Sequence, residues 1–204
     1  MLAIVSAVTF TTVDGVELGC LQKMAESIWR ICYRDLLAAE QIEYMLNLMY
    51  SPTALADDLT LGVVYEWIYS KDKRVGYLAF EISVVGRCVR LNKLYLLPDE
   101  QGRGLGQAAL MHMVDRATAL GLDAVELNVN KQNQRAIRAY ERAGFKAVAS
   151  IVKDIGGGFV MDDFVMRKGC GKRFVGGPGS DHPQSQSRST AADEPSRSHP
   201  SSCA

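Results

Sequence analysis

Apolar and polar positions alternate from 4 to 13 (IVSAVTFTTV) with β-branched residues throughout, which predicts a first strand stopped by Asp14-Gly15. The period then changes. Leu21, Met24, Ala25, Ile28, Ile31, Cys32 and Leu36 recur at helical spacing, predicting a helix from about Val16 to Leu37. A second follows from about Ala39 to Tyr50, and Ser51-Pro52 closes the pair. Two aliphatic and aromatic segments, 61–69 and 75–85, flank the polar run Lys71-Asp72-Lys73-Arg74 and predict an antiparallel hairpin. A further strand over 88–97 ends at Pro98.

Beyond Pro98 the period returns to that of a helix. Leu105, Ala109, Leu110, Met113, Val114, Ala117 and Leu120 form one stripe between Gly104 and Leu120, with Gly121 as a left-handed stop. A strand over 124–129, a short helix from Asn133 to Ala143 and two strands over 145–153 and 159–167 complete the order. Strand, two helices, three strands, helix, strand, helix, two strands describes an α+β sheet protein.

Composition narrows the function. The 204 residues carry 23 Lys+Arg against 23 Asp+Glu, so the electrostatic footprint of a nucleic-acid binder is missing. The five cysteines are scattered without a Cys-x-x-Cys pair, which fits reduced thiols better than a disulfide frame or a metal site. No apolar run reaches the ~18 residues of a membrane span and no basic leader opens the chain, so a cytoplasmic protein with no membrane partner is expected. From Gly176 to Ala204 there is no Ile, Leu, Val, Met, Phe, Trp or Tyr. Such a segment cannot bury enough surface to offset chain entropy, and the expected division is a folded domain over 1–168 and a disordered Ser/Pro/Gly-rich tail over 169–204. His182 and His199 fall in the tail, leaving His112 inside the folded part.

The segment richest in chemistry is Leu94-Tyr95-Leu96-Leu97-Pro98-Asp99-Glu100-Gln101-Gly102-Arg103-Gly104-Leu105-Gly106-Gln107. A strand enters a glycine-rich loop that opens a helix, and the backbone N–H groups there form an anion site suited to phosphate. A dinucleotide fingerprint would need Gly-x-Gly-x-x-Gly in an early βαβ unit, and a Walker loop would need Gly-Lys-Ser/Thr; neither is present.

Gln101-Gly102-Arg103-Gly104-Leu105-Gly106 resembles the Gln/Arg-x-x-Gly-x-Gly/Ala pyrophosphate loop of the GNAT N-acetyltransferase superfamily. About thirty residues on, Leu127 to Phe145 resembles that family's second signature: a strand, Asn133 at a helix start, Tyr140 seven residues later, then Gly144-Phe145. The resemblance covers roughly 4 to 168 and is clearest from 88 to 145. It implies a central, mixed, mostly antiparallel sheet splayed between the fourth and fifth strands and flanked by helices. It also implies acetyl-CoA as co-substrate, with pantetheine in the splay on backbone groups of Leu94, Tyr95 and Leu96. The pyrophosphate would lie on amides from Gln101 through Gly102, Arg103, Gly104, Leu105 and Gly106 to Gln107. Asn133 would approach the pantetheine arm, cap its helix, or do both.

Direct acetyl transfer in a ternary complex needs a neutral amine and a proton for the departing thiolate. The resemblance makes Tyr140 the donor, a phenol of pKa about 10 that keeps its proton at neutral pH. Asn128 stands where some relatives carry a glutamate base, and an amide cannot deprotonate an ammonium. Glu81 and Glu126 are alternatives acting through water, or are ordinary exposed strand carboxylates, the reading their positions favour. Trp29, Tyr33, Tyr44, Met45 and Tyr50 fall where the resemblance places the acceptor wall, although aromatic and Met residues at helical spacing usually serve the core. The run 153–166 resembles the closing hairpin of bacterial members that acetylate small molecules, polyamines among them. Asp154, Asp162 and Asp163 in that run would attract a cationic amine, or are ordinary exposed turn carboxylates. The expected acceptor is a polyamine or other small amine. A peptide or protein N-terminus, a catalytically weak acetyl-CoA-binding regulator and a plain interaction module are the alternatives. The family also allows a homodimer, but no interface is legible.

Overall fold

A computed structural model describes residues 8–171. The expected tail from Gly176, and residues 4–7 of the first expected strand, lie outside the described residues. The chain runs β1 (Val8–Thr12), α1 (Leu18–Cys32), α2 (Ala39–Tyr50), α3 (Pro52–Thr60), β2 (Val64–Ser70), β3 (Lys73–Ser83), β4 (Cys88–Leu96), α4 (Leu105–Ala119), β5 (Ala124–Asn130), α5 (Gln134–Arg142), β6 (Lys146–Gly156) and β7 (Phe159–Gly169). Seven strands form one sheet in the order β1-β2-β3-β4-β5-β7-β6, antiparallel except for β4 beside β5. The α+β class and the mixed sheet are as expected.

One element differs. Ser51-Pro52 does not end the helical region but opens α3: the Ser51 hydroxyl accepts from the Ala54 N–H, and Pro52 occupies the first helical position. A hydroxyl cap followed by proline is a start signal as well as a break, because the fixed proline φ suits the first turn and its missing N–H would be unsatisfied there anyway. The first helix is also shorter than its apolar stripe, ending at Cys32.

Strand alternation divides the buried residues into two cores. Leu78, Leu91, Leu94, Leu96, Leu127 and Val129 face α4 and α5 with Tyr140. Tyr65, Trp67, Tyr77, Tyr95 and Met161 face the side of α1, α2 and α3.

The β4–β5 pairing is short. It runs only from Cys88↔Ala124 to Leu91↔Leu127. There β4 carries one residue too many: Phe80 pairs with Leu91 and Ala79 with Lys93, so Asn92 is left over as a bulge. A bulge bends its strand and increases local twist. From Asn92 onward β4 stays bonded to β3 while its other edge opens away from β5, which is the expected splay.

Candidate active site

Leu94, Tyr95 and Leu96 lie just past the last shared pair, all buried. The Leu97 N–H donates to the Val75 carbonyl of the neighbouring β3 chain, so alternation turns the backbone groups of Tyr95 toward β3 and those of Leu94 and Leu96 toward the open edge. The slot is therefore lined by main chain from every second residue of β4. The Tyr95 ring enters the other core, where its hydroxyl lies 3.4 Å from that of Tyr33.

After a short 3-10 turn over Pro98–Glu100, the loop reaches Gly102 (φ 78°) and Gly104 (φ 81°). Both are left-handed, which glycine adopts without the Cβ penalty. Gly104 caps α4 and brings no side chain to its first turn. The helix amides at its start thus lack an intrahelical acceptor and keep the partial positive charge of the helix end, a setting suited to pyrophosphate. Arg103 pairs with Glu100, as does Lys73 at 2.6 Å, and these cations hold the Glu100 carboxyl below its usual range, the Lys73 hydrogen bond being the largest cause. Gln101 folds its side-chain amide back onto the Leu96 carbonyl at 3.2 Å and the Cys32 sulfur at 3.6 Å, tying the loop to the strand end.

Leu105 is buried in the core shared by α4 and α5, while Gly106 and Gln107 occupy the first turn of α4. Gln107 reaches across to α5 and donates to the Ala139 carbonyl at 2.8 Å. Asn133 caps α5, its Oδ1 accepting from the Ala136 N–H at 3.0 Å. Tyr140, two turns further, is fully buried on the α4/α5 side of the sheet against Phe145. Asn128 sits on β5 one residue past the last β4 pair and opposite Val165, on the other face from Leu127 and Val129.

Several candidates lie elsewhere. Glu126 pairs with Arg90 and Arg167, and Glu81 with Arg90, at the closed end of the β4–β5 seam. His112 stacks on Phe10 and bonds Glu66, in the part of the sheet remote from the slot. Trp29, Tyr33, Met45 and Tyr50 are core residues, and only Tyr44 of that group reaches the β6–β7 turn, donating to the Ile155 carbonyl at 2.7 Å. Of the three aspartates, Asp154 lies near the turn and Asp162 is exposed beside Lys131. Asp163 departs from a turn carboxylate altogether: it is within β7 and 1% exposed.

Between α2, α3 and the end of β6 lies a cleft of about 490 Å³ lined by Asn47, Asp57, Asp58, Lys153 and Asp154 among others. Asp58 is anchored at its back by Lys93 of β4 at 2.9 Å and by the Tyr65 hydroxyl.

An open seam beside a glycine-capped helix start is the arrangement that the glycine-loop signature implies, and a model of the acetyltransferase (GNAT) family matches residues 22–145. The chain belongs to the GNAT family. It is an acyl-CoA-dependent N-acetyltransferase, and acetyl-CoA is its co-substrate. It is similar to a spermidine N(1)-acetyltransferase of Thermoplasma acidophilum, 24% identical over 157 residues that cover 74% of this chain and 91% of that protein. An uncharacterised N-acetyltransferase of Mycobacterium tuberculosis is 51% identical over 74 residues, 35% of this chain and 46% of the other. Among solved structures, the PaiA N-acetyltransferase of Thermoplasma acidophilum in complex with coenzyme A superposes with a TM-score of 0.65 at 21% identity, covering 80% of this chain and 99% of that one. Among the described residues no helix of this GNAT protein is long and apolar enough to cross a membrane.

Proposed function

We propose that the protein acetylates a small cationic amine, a polyamine being the leading candidate, by direct attack of the amine on acetyl-CoA within a ternary complex. The observation that carries this reading is the cleft between α2, α3 and the end of β6, whose walls carry three carboxylates, Asp57, Asp58 and Asp154, against one cation, Lys153. Carboxylates there favour a substrate that arrives protonated. The spermidine acetyltransferase among the relatives supports the same class of acceptor.

In this reading the pyrophosphate rests on the amides from Gln101 to Gln107, and pantetheine runs along the open edge of β4 on the backbone of Leu94 and Leu96. The Leu96 N–H polarises the thioester carbonyl as a preorganised donor. Tyr140 then protonates the leaving thiolate, an uphill transfer of about 1.5 pKa units from phenol to thiol that is drawn forward as the C–S bond breaks and the amide forms. Asn128 faces the acceptor side, where its amide orients the incoming nitrogen. Calorimetric titration of acetyl-CoA, followed by thiol release with polyamines, amino acids and N-terminal peptides, tests the assignment. Release confined to peptides would replace the small amine by a protein N-terminus, and binding without release on any acceptor would leave a sensor of the coenzyme.

A further inference from the structure

We propose that Asp163 is the general base of the reaction, taking the proton from the acceptor ammonium before its nitrogen attacks. The inference rests on the amine transfer proposed above and assigns the role that Asn128 cannot perform.

Position comes first. Asp163 lies on β7 opposite Asn130, the last residue of β5, at the end of β5 from which β4 has parted. Its face is fixed by its neighbours. Met161, two residues earlier, packs with Trp29, Tyr33 and Tyr95, whereas Phe164 and Met166 pack in the core of Tyr140. Asp163 and Tyr140 therefore stand on opposite faces of the sheet, with the β4–β5 seam between them. Asn128 and Asn130 share the Asp163 face and lie one strand spacing, about 4.8 Å, nearer the seam. In this proposal the nitrogen is received over these two amides, between the carboxyl on β7 and the thioester at the seam.

Its surroundings set Asp163 apart. Its side chain is buried, yet Oδ1 has no hydrogen-bond partner, an unfavourable state that is retained where a proton or cation is to be received. Other carboxylates near this side are engaged: Asp58 by Lys93 and Tyr65, Glu126 by Arg167 and Arg90, Glu81 by Arg90, Asp162 by Lys131. The charged groups acting on Asp163 are Asp162 on its own strand and Lys131 after β5, while its β6 and β5 neighbours across the sheet, Ile151 and Asn130, carry no charge. Burial pushes its pKa up to about 7, Asp162 adding to the rise and Lys131 opposing it, which suits a base working near neutrality.

The step balances without a further reactant. The ammonium gives one proton to the Asp163 carboxylate, and the nitrogen lone pair forms the C–N bond at the thioester carbonyl. The C–S bond breaks with its pair on sulfur, and the thiolate takes the Tyr140 proton. The second proton lost by nitrogen as the amide forms restores the phenol, and Asp163 releases its own to solvent, so one proton leaves per acetyl transferred.

The test compares wild type with Asp163→Asn and Asp163→Glu, using acetyl-CoA with two primary amines: an alkylamine of pKa about 10 and a trifluorinated ethylamine of pKa about 6, the second already neutral at pH 7.5. Coenzyme binding by calorimetry confirms that each variant is folded. The expected result is a loss of kcat/KM of about 10²-fold for the alkylamine in Asp163→Asn, the usual scale for a removed base, with a much smaller loss for the fluorinated amine and partial recovery in Asp163→Glu. Equal losses on both amines, or no loss, would overturn the role while leaving amine transfer intact. Absence of thiol release by wild type on every amine would overturn the transfer reading and the base with it. If Asp163→Asn does not fold, the wild-type pH profile decides. A rise that levels off just above pH 7 for the alkylamine supports the base, and a climb continuing to about pH 9.5 overturns it, since only neutral amine from solution would then react.

Discussion

The side-chain amide of Gln107 and the carbonyl of Ala139, 2.8 Å apart, join the helix of the glycine loop to the helix of Tyr140 one residue before that tyrosine. The coenzyme site and the proposed acid are thus held in one frame. Replacing Gln107 with Ala removes a link of about 1 kcal/mol and leaves the Ala139 carbonyl its helical bond from Ala143. The expected outcome is a several-fold fall in kcat with coenzyme affinity changed by less, read from steady-state rates beside calorimetry.

Tyr140→Phe keeps the packing against Phe145 and deletes the hydroxyl alone. We expect the Kd for acetyl-CoA to stay within about twofold and kcat to fall by about 10²-fold or more, as for loss of a general acid. Unchanged turnover would remove Tyr140 from the reaction.

At Gly104 the positive φ and the cap position coincide. An alanine there bears a left-handed penalty of roughly 1–2 kcal/mol and disturbs the amides that open α4. Gly104→Ala should weaken acetyl-CoA binding by about tenfold in a calorimetric titration, with little effect on the acceptor KM.

Lys93 and Asp58 form a buried ion pair between β4 and α3, and burial lowers the lysine pKa against the pull of the aspartate. Removing one member strands the other. Lys93→Met or Asp58→Asn alone should cost about 3–5 kcal/mol, whereas the double replacement Lys93→Met with Asp58→Leu should recover most of it. Chemical denaturation of the four proteins measures the difference.

Asp163 makes stability depend on pH in a definite sense. Its carboxyl titrates near 7 in the folded chain and near 3.9 when unfolded, so the folded state holds the proton more tightly. The resulting contribution is fully present below about pH 4 and is lost as pH rises through 7. Asp163→Asn should accordingly melt close to wild type at pH 4 to 5 and above it at pH 8, by an amount worth a few kcal/mol. A melting difference independent of pH would show that the carboxyl is not desolvated.

Much of this molecule is legible from its residues. Among the described residues the period shifts mark all seven strands and four of the five α-helices, because long apolar stripes are imposed by the two cores. The third helix is hidden by Pro52, read as a stop when the preceding Ser51 makes it a start. The coenzyme loop is legible because Gly102 and Gly104 must be glycine for local backbone reasons. The base is not. Asp163 sits between Asp162 and Phe164 like any strand carboxylate near a turn, and its burial goes with a place between β5 and β6, opposite Asn130 and Ile151, that the local sequence does not reveal. Glu81 and Glu126 look equally suitable on paper until Arg90 and Arg167 are found across from them.

The single surplus residue Asn92 has a consequence for specificity. The gap beside β4 is a stretch of ladder that stops early, built into the resting sheet, so a coenzyme arm that fills it adds rungs without breaking any. What is read there is the spacing of amides along an extended arm, and main chain does the reading. Side-chain replacement hardly alters such a reader. Changes of acceptor should therefore arise in the α2–α3 wall and the β6–β7 hairpin, while the donor side of the reaction stays constant.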